Sequence, residues 1–94
     1  ISIKSNLSNY PNPFNPSTRI EYSLPDNCRE ANLEIFNAKG QIVKIYPINP
    51  PEAGHNSITW DGTDQNGQAV GSGVYIIQLQ LADQRVARKC ILLK

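Results

Sequence analysis

The 94-residue chain has material for one hydrophobic core and too little surface to divide into two. With 39% apolar and 18% charged residues it is not a disordered tail, and a net charge of +1 excludes the basic stripe that a phosphate backbone requires, so nucleic acid is not an expected partner. Apolar runs such as Ile91, Leu92 and Leu93 fall far short of the roughly twenty residues of a membrane-spanning helix. No basic stretch followed by an apolar segment opens the chain, so any export signal is expected upstream in a longer precursor.

Apolar residues recur with period two, and no stretch carries the three-and-four spacing of an amphipathic helix. A weak strand is expected near residues 1–4, inside a segment 1–9 that reads as a linker or weak first strand ahead of a domain at 10–94. Residues 19–24 then put Ile20, Tyr22 and Leu24 on a buried face and Arg19, Glu21 and Ser23 toward solvent, until Pro25 stops the strand. Ala31, Leu33 and Ile35 alternate with Asn32 and Glu34. A further strand at 41–46 is expected to turn Val43 and Ile45 inward, after a type I turn over Asn37, Ala38 and Lys39 closed by Gly40 in the left-handed region.

Pro47, Pro50 and Pro51 cannot donate to a ladder, which predicts a crossing loop at 47–53 that changes sheets. Residues 56–60 return as a strand with Ile58 and Trp60 inward, followed by a polar loop at 61–72. The strongest alternation places Tyr75, Ile77, Leu79 and Leu81 on one face. Asp83 and Gln84 turn the chain into a last strand at 85–93, where apolar residues of both parities leave the facing open. Six or seven short strands separated by turn signals are the signature of an all-β sandwich.

Several constellations invite chemistry. Asp61, Asp64 and Asn66, interleaved with Gly62 and Gly67, offer hard oxygen ligands for Ca²⁺. The spacing lacks the bidentate glutamate of a calcium loop, so an Asn-Gly turn with Asx hydrogen bonds is the favoured reading and no cofactor is expected. His55, the single histidine, has no cysteine or second histidine beside it and reads as solvated. Trp60 and Tyr75 have the parity of core residues rather than of a sugar platform. Pro13 to Pro16 matches a P-x-x-P ligand, but Tyr10 and Phe14 read as plugs for the sandwich. The Asn6-Leu7-Ser8 sequon carries little weight. Cys28 and Cys90 admit either a disulfide or two quiet thiols. No nucleophile sits beside a positioned base, so a non-enzyme is expected.

The string Tyr10-Pro11-Asn12-Pro13-Phe14-Asn15-Pro16-Ser17-Thr18, followed by Ile20, Tyr22, Leu24 and Pro25, resembles the opening of the type A C-terminal sorting domains of the type IX secretion system. Trp60-Asp61-Gly62-Thr63-Asp64-Gln65-Asn66-Gly67 and Ser72-Gly73-Val74-Tyr75 are similar to the same family and to the immunoglobulin-like domain of the flagellar hook-capping protein. Arg88, Lys89, the apolar run and Lys94 resemble the end of such domains; Cys90 departs, since many relatives carry an apolar residue there.

The resemblance implies an immunoglobulin-like antiparallel sandwich of about seven strands that follows a covalently linked N-terminal cargo domain. It implies recognition by an outer-membrane translocon, with Gly73, Val74, Tyr75, Lys89 and Lys94 as the recognition residues. Passage through the periplasm and outer membrane would lead to removal of the domain by sortase-like attachment machinery as the cargo is fixed at the cell surface or released. From the residues themselves comes one addition: an unpaired final edge would be a handle for strand addition by a partner. The alternative implied is a structural or adhesive spacer in a surface or flagellar-type assembly. A sorting domain must end its polypeptide, which separates the two.

Overall fold

The computed structural model describes residues 6–49 and 51–94; the weak strand expected at 1–4 lies outside them. Seven strands appear in chain order, β1 Asn6–Tyr10, β2 Thr18–Leu24, β3 Ala31–Asn37, β4 Ile42–Ile48, β5 Gly54–Trp60, β6 Gly73–Leu81 and β7 Arg85–Leu92. They form a three-stranded sheet in the order β1-β2-β5 and a four-stranded sheet in the order β4-β3-β6-β7, antiparallel throughout. The crossing after β4 does change sheets.

Each sheet turns one side-chain parity toward the other, which is how period-two sequences bury a face. Ile20, Tyr22 and Leu24 of β2 meet Ala31, Leu33 and Ile35 of β3 and Tyr75, Ile77, Leu79 and Leu81 of β6 in one core. Trp60 and Phe14 fill one end of it. The facing of β7 is settled as well: Cys90 and Leu92 are buried and Val86 packs against the core, while the odd positions point out.

Four expectations are corrected. Ile45 was expected inward, but the register of β3 against β4 slips between Ile35 and Phe36, leaving Val43 as the extra residue. A bulge of this kind reverses the alternation beyond it. Val43 stays in the core, Tyr46 and Ile48 pack against it, and Ile45 falls opposite Glu34 on the outer face. Pro47 belongs to β4 rather than to the crossing loop, pairing with Asn32; β4 is an edge strand, where a missing donor faces outward without cost.

Ser23 was expected to face solvent and is buried, because β1 pairs across it and the Asn6 N–H donates to its Oγ at 3.1 Å. Tyr10 was expected to plug the sandwich and is instead 82% exposed; Phe14 alone of the pair is buried. The hairpin turn is as expected, with Gly40 at φ 83° and its N–H donating to the Asn37 carbonyl at 3.0 Å.

Candidate functional site at the end of the sandwich

The three motif strings, far apart in sequence, meet at one end of the sandwich. Phe14 packs on Trp60 with ring centroids 5.3 Å apart, and Trp60 packs edge-on against Tyr75 at 5.2 Å. Such tilted and T-shaped arrangements set the positive edge of one ring against the negative face of the next. The polar tips of both larger rings are satisfied locally: Trp60 Nε1 donates to the Thr63 carbonyl at 2.9 Å and the Tyr75 hydroxyl to the Gly71 carbonyl at 2.6 Å. Neither ring is a sugar platform, since Trp60 is wholly buried and Tyr75 nearly so.

Gly62 lets the Trp60 loop approach this cluster. Its φ of 75° lies in the left-handed region, and a Cβ there would stand 3.2 Å from the Pro16 carbonyl oxygen and 3.7 Å from Leu92. Only a residue without a side chain meets both demands easily.

The last strand was expected to present an unpaired edge, and over its final stretch it does not. The Phe14 N–H donates to the Ile91 carbonyl at 2.9 Å and the Leu93 N–H to the Phe14 carbonyl at 3.0 Å. Next to it, the Asn12 side chain accepts from the Ile91 N–H at 3.0 Å and donates through Nδ2 to the Lys89 carbonyl at 3.1 Å. A carboxamide carries one acceptor and one donor in the relation of a peptide group, so Asn12 continues what the Phe14 backbone begins. Residues 12–14 thus serve as a short parallel neighbour to β7. Beneath them Asn9 Nδ2 contacts the Cys90 Sγ at 3.2 Å and the Thr18 Oγ1 at 3.3 Å, and Thr18 donates to the Pro11 carbonyl at 2.9 Å.

Cys28 and Cys90 are both free thiols. Burial pushes the Cys90 thiol up to about 12, against a smaller opposing effect of the Asn9 hydrogen bond. It is therefore protonated and inert at neutral pH.

Of the expected recognition residues, Val74 and Lys89 point outward from the four-stranded sheet, in rows set by the pairing of Val74 with Ile91 and Ile76 with Lys89. Tyr75 faces inward, and Gly73 sits opposite Leu92. The Lys94 N–H donates to Ser72 Oγ at 2.9 Å, which brings Lys94 beside the start of β6. Four of the five are exposed, and Tyr75 belongs to the core.

Asp61 and Asp64 are each engaged by local partners. Asp64 Oδ1 accepts from the N–H groups of Asn66 and Gln68 at 2.9 and 3.0 Å, closing a turn with Gly67 at φ 81°. Asp61 accepts from Thr63 Oγ1 at 2.5 Å and lies 3.9 Å from Lys44 Nζ, and these, the hydroxyl foremost, hold its carboxyl below its ordinary value. Among the described residues no three His, Cys, Asp or Glu side chains converge as a metal group. His55 is exposed on the three-stranded sheet.

Sequence reasoning missed Asn12 and Gln65. The latter treats the opposite edge as Asn12 treats β7: its N–H donates to the Val43 carbonyl and its Oε1 accepts from the Ile45 N–H, each at 2.9 Å. Both residues lie in strings that read as loops, and nothing in a loop composition announces that it will dress a strand edge.

No curated protein sequence matches the chain. Its fold is shared with dimeric latent PorU from Porphyromonas gingivalis, with a TM-score of 0.73 and 21% identity over 95% of this chain and 9% of that one. PorZ of the same organism, described as an essential bacterial surface component of the type IX secretion system, gives a TM-score of 0.67 and 14% identity over 95% of this chain and 12% of that one. FlgD from P. aeruginosa gives 0.64 and 22% over 81% of this chain and 60% of that one. At these identities the likeness is one of fold, and the chain spans only a fraction of the first two proteins. The family profile of the FlgD Ig-like domain matches residues 14–85, from the buried Phe14 through the Trp60 loop to the start of β7. The chain therefore belongs to the FlgD Ig-like domain family.

Proposed function

We propose that this chain is a non-catalytic sorting domain, which directs a covalently linked cargo across the outer membrane by type IX secretion and to the cell surface. The observation that carries the reading is the seam between the Pro-Asn-Pro-Phe string and the last strand, where Asn12 and Phe14 hold Lys89, Ile91 and Leu93. An address must present a fixed shape to its reader, and the seam makes the C-terminal strand a rigid display rather than a loose tail. The likeness in fold to PorU and PorZ supports the reading.

Because the backbone of β7 is already engaged there, the translocon reads side chains rather than adding a strand to residues 89–93. Gly73, Val74, Lys89 and Lys94 are the exposed members of the recognition set, and Tyr75 supports the surface from within the core. Among the described residues no helix is long and apolar enough to cross a membrane.

Membership of the FlgD Ig-like family favours one rival, a structural spacer within a surface assembly. Fusing the chain behind a periplasm-targeted fluorescent protein in a type IX-competent host separates the two. Surface delivery that disappears in a translocon-deficient strain supports the sorting domain. Retention of the reporter in the periplasm of the competent strain sinks it and leaves the spacer.

A further inference from the structure

The outer faces of the two sheets differ in kind. On the three-stranded sheet the register sets Ser8, Glu21 and Ser57 in one row and Tyr10, Arg19 and Thr59 in the next, with Arg19 and Glu21 paired at 3.4 Å. That is how this chain builds a solvated sheet face. The four-stranded sheet is mixed over half its length, where Pro47, Asn32, Gln80 and Arg85 share a row and Ile45, Glu34, Gln78 and Ala87 the next, with Glu34 and Gln78 hydrogen-bonded at 3.1 Å.

Toward the end that carries the seam the composition changes. Ile42, Phe36 and Ile76 form a row across β4, β3 and β6, and the Val74–Ile91 pair lies beside it with Leu93 beyond. Ile42 is 56% exposed, Leu93 54% and Val74 39%, and the other three are half-buried. High strand propensity alone does not explain these residues, because the other sheet reaches the same extended backbone with Ser, Thr, Arg and Glu. A contiguous apolar patch on a small domain marks a place where something binds.

The charges around the patch say what. Lys89 ends the Phe36 row, Lys39 lies in the turn that borders a shallow recess shared with Val74, and Lys94 is tied beside Ser72. The two ion pairs among the described residues involve Arg19 and Lys44, so none of these three ammonium groups is neutralised. A second copy of the chain would set lysines against lysines, which complementarity forbids.

We propose that this apolar row is a docking surface for a partner protein segment that presents apolar side chains flanked by carboxylates. The proposal deepens the reading of the chain as a recognised module, on which it rests, by placing recognition on a sheet face and assigning its chemistry.

The test is a titration of isotope-labelled protein, followed by NMR, with two short synthetic peptides that alternate valine with glutamate or valine with lysine. The glutamate peptide should bind saturably and shift the amides of Phe36, Ile42, Val74 and Ile76, and the lysine peptide should not bind. Reversal of Lys39, Lys89 and Lys94 to glutamate should weaken the glutamate peptide about tenfold or more, equivalent to roughly 1.4 kcal/mol. Ile42→Thr with Val74→Thr should abolish binding at an unchanged melting temperature, since both side chains are exposed and threonine keeps the β-branch.

Equal binding of both peptides, binding of neither, or shifts centred on the three-stranded sheet would overturn the proposal. Concentration-dependent dimerisation would assign the face to a second copy instead, and capture by phosphatidylglycerol vesicles without peptide binding would assign it to lipid. Reporter export that fails while peptide binding persists would count against the sorting role and leave this surface standing.

Discussion

Asn12 stands in for a strand beside Ile91, accepting its N–H at 3.0 Å while returning a donor to the Lys89 carbonyl at 3.1 Å. An open edge invites pairing with any other edge, and a side-chain amide closes it without adding a strand.

Asn12→Ala removes both bonds and leaves the Phe14 pair in place. Both bonds are exposed to water and together are worth about 1 kcal/mol net, so the melting temperature should fall by roughly 4–8 °C in a domain of this size. Hydrogen exchange at the Ile91 amide gives the sharper reading. It should accelerate in the variant, and unchanged protection would mean that Asn12 does not hold the edge.

Gly62 and Gly67 have similar backbone angles, φ 75° and 81°, but only Gly62 faces a close neighbour, the Pro16 carbonyl oxygen at 3.2 Å from an added Cβ. Gly67→Ala should cost about 1–2 kcal/mol for the left-handed conformation. Gly62→Ala carries that cost and also requires the Pro16 carbonyl to give way by a few tenths of an ångström. Urea unfolding should therefore show the larger loss at Gly62, and equal losses would remove the argument from close approach.

Cys90 makes stability depend on alkaline pH. Its thiol is raised to about 12 in the fold by burial, from an ordinary value of 9.0, so the unfolded chain loses the proton first as pH rises. The stabilisation is complete below about pH 9 and drains away between there and 12. Cys90→Ala should cost about 1–2 kcal/mol at pH 7 through the lost packing. The gap between wild type and variant should then narrow as the pH passes 9, and a constant gap would show that the thiol titrates normally. Reductant should leave the wild-type melting curve untouched.

In the acidic turn, Asp64 spends one oxygen on the Asn66 and Gln68 N–H groups. Asp64→Ala should lose about 1 kcal/mol with or without calcium. Millimolar Ca²⁺ should leave the wild-type melting temperature where it was, because only a ligand that prefers the folded state raises it. A rise that disappears in the variant would restore the metal reading.

How far the sequence reveals this molecule depends on the range of the physics involved. The alternation of Ile20, Tyr22 and Leu24, or of Tyr75 through Leu81, is a local consequence of strand geometry, and both faces fell as expected. Ile45 did not, because the bulge at Val43 depends on how two strands align and leaves no mark in either alone. Ser23 and Tyr10 exchanged their expected environments for a similar reason, the placement of β1 against β2. The motif strings were legible as a family pattern, but their meeting at Phe14, Trp60 and Leu92 is a contact between distant segments. Composition cannot say that an asparagine between two prolines will serve as the neighbour of residue 91.

Lys89 and Lys94 separate folding from recognition. Deleting residues 92–94 is an unclean probe, since Leu92 is wholly buried and its loss would cost about 2–5 kcal/mol from a total of only about 5–15. Failure of export would then report unfolding. Both lysines are exposed and have no ion pair among the described residues, so Lys89→Glu with Lys94→Glu should change stability by no more than about 0.5 kcal/mol. The Lys94 bond to Ser72 runs through its backbone N–H and survives the substitution. Surface delivery of a fused reporter should nonetheless fall, because the reversed charges repel a carboxylate-bearing reader, and raising the salt concentration in a binding assay should weaken the wild-type interaction by screening the same attraction. A charge-reversed domain that melts normally and is delivered as well as wild type would exclude charge as part of the address.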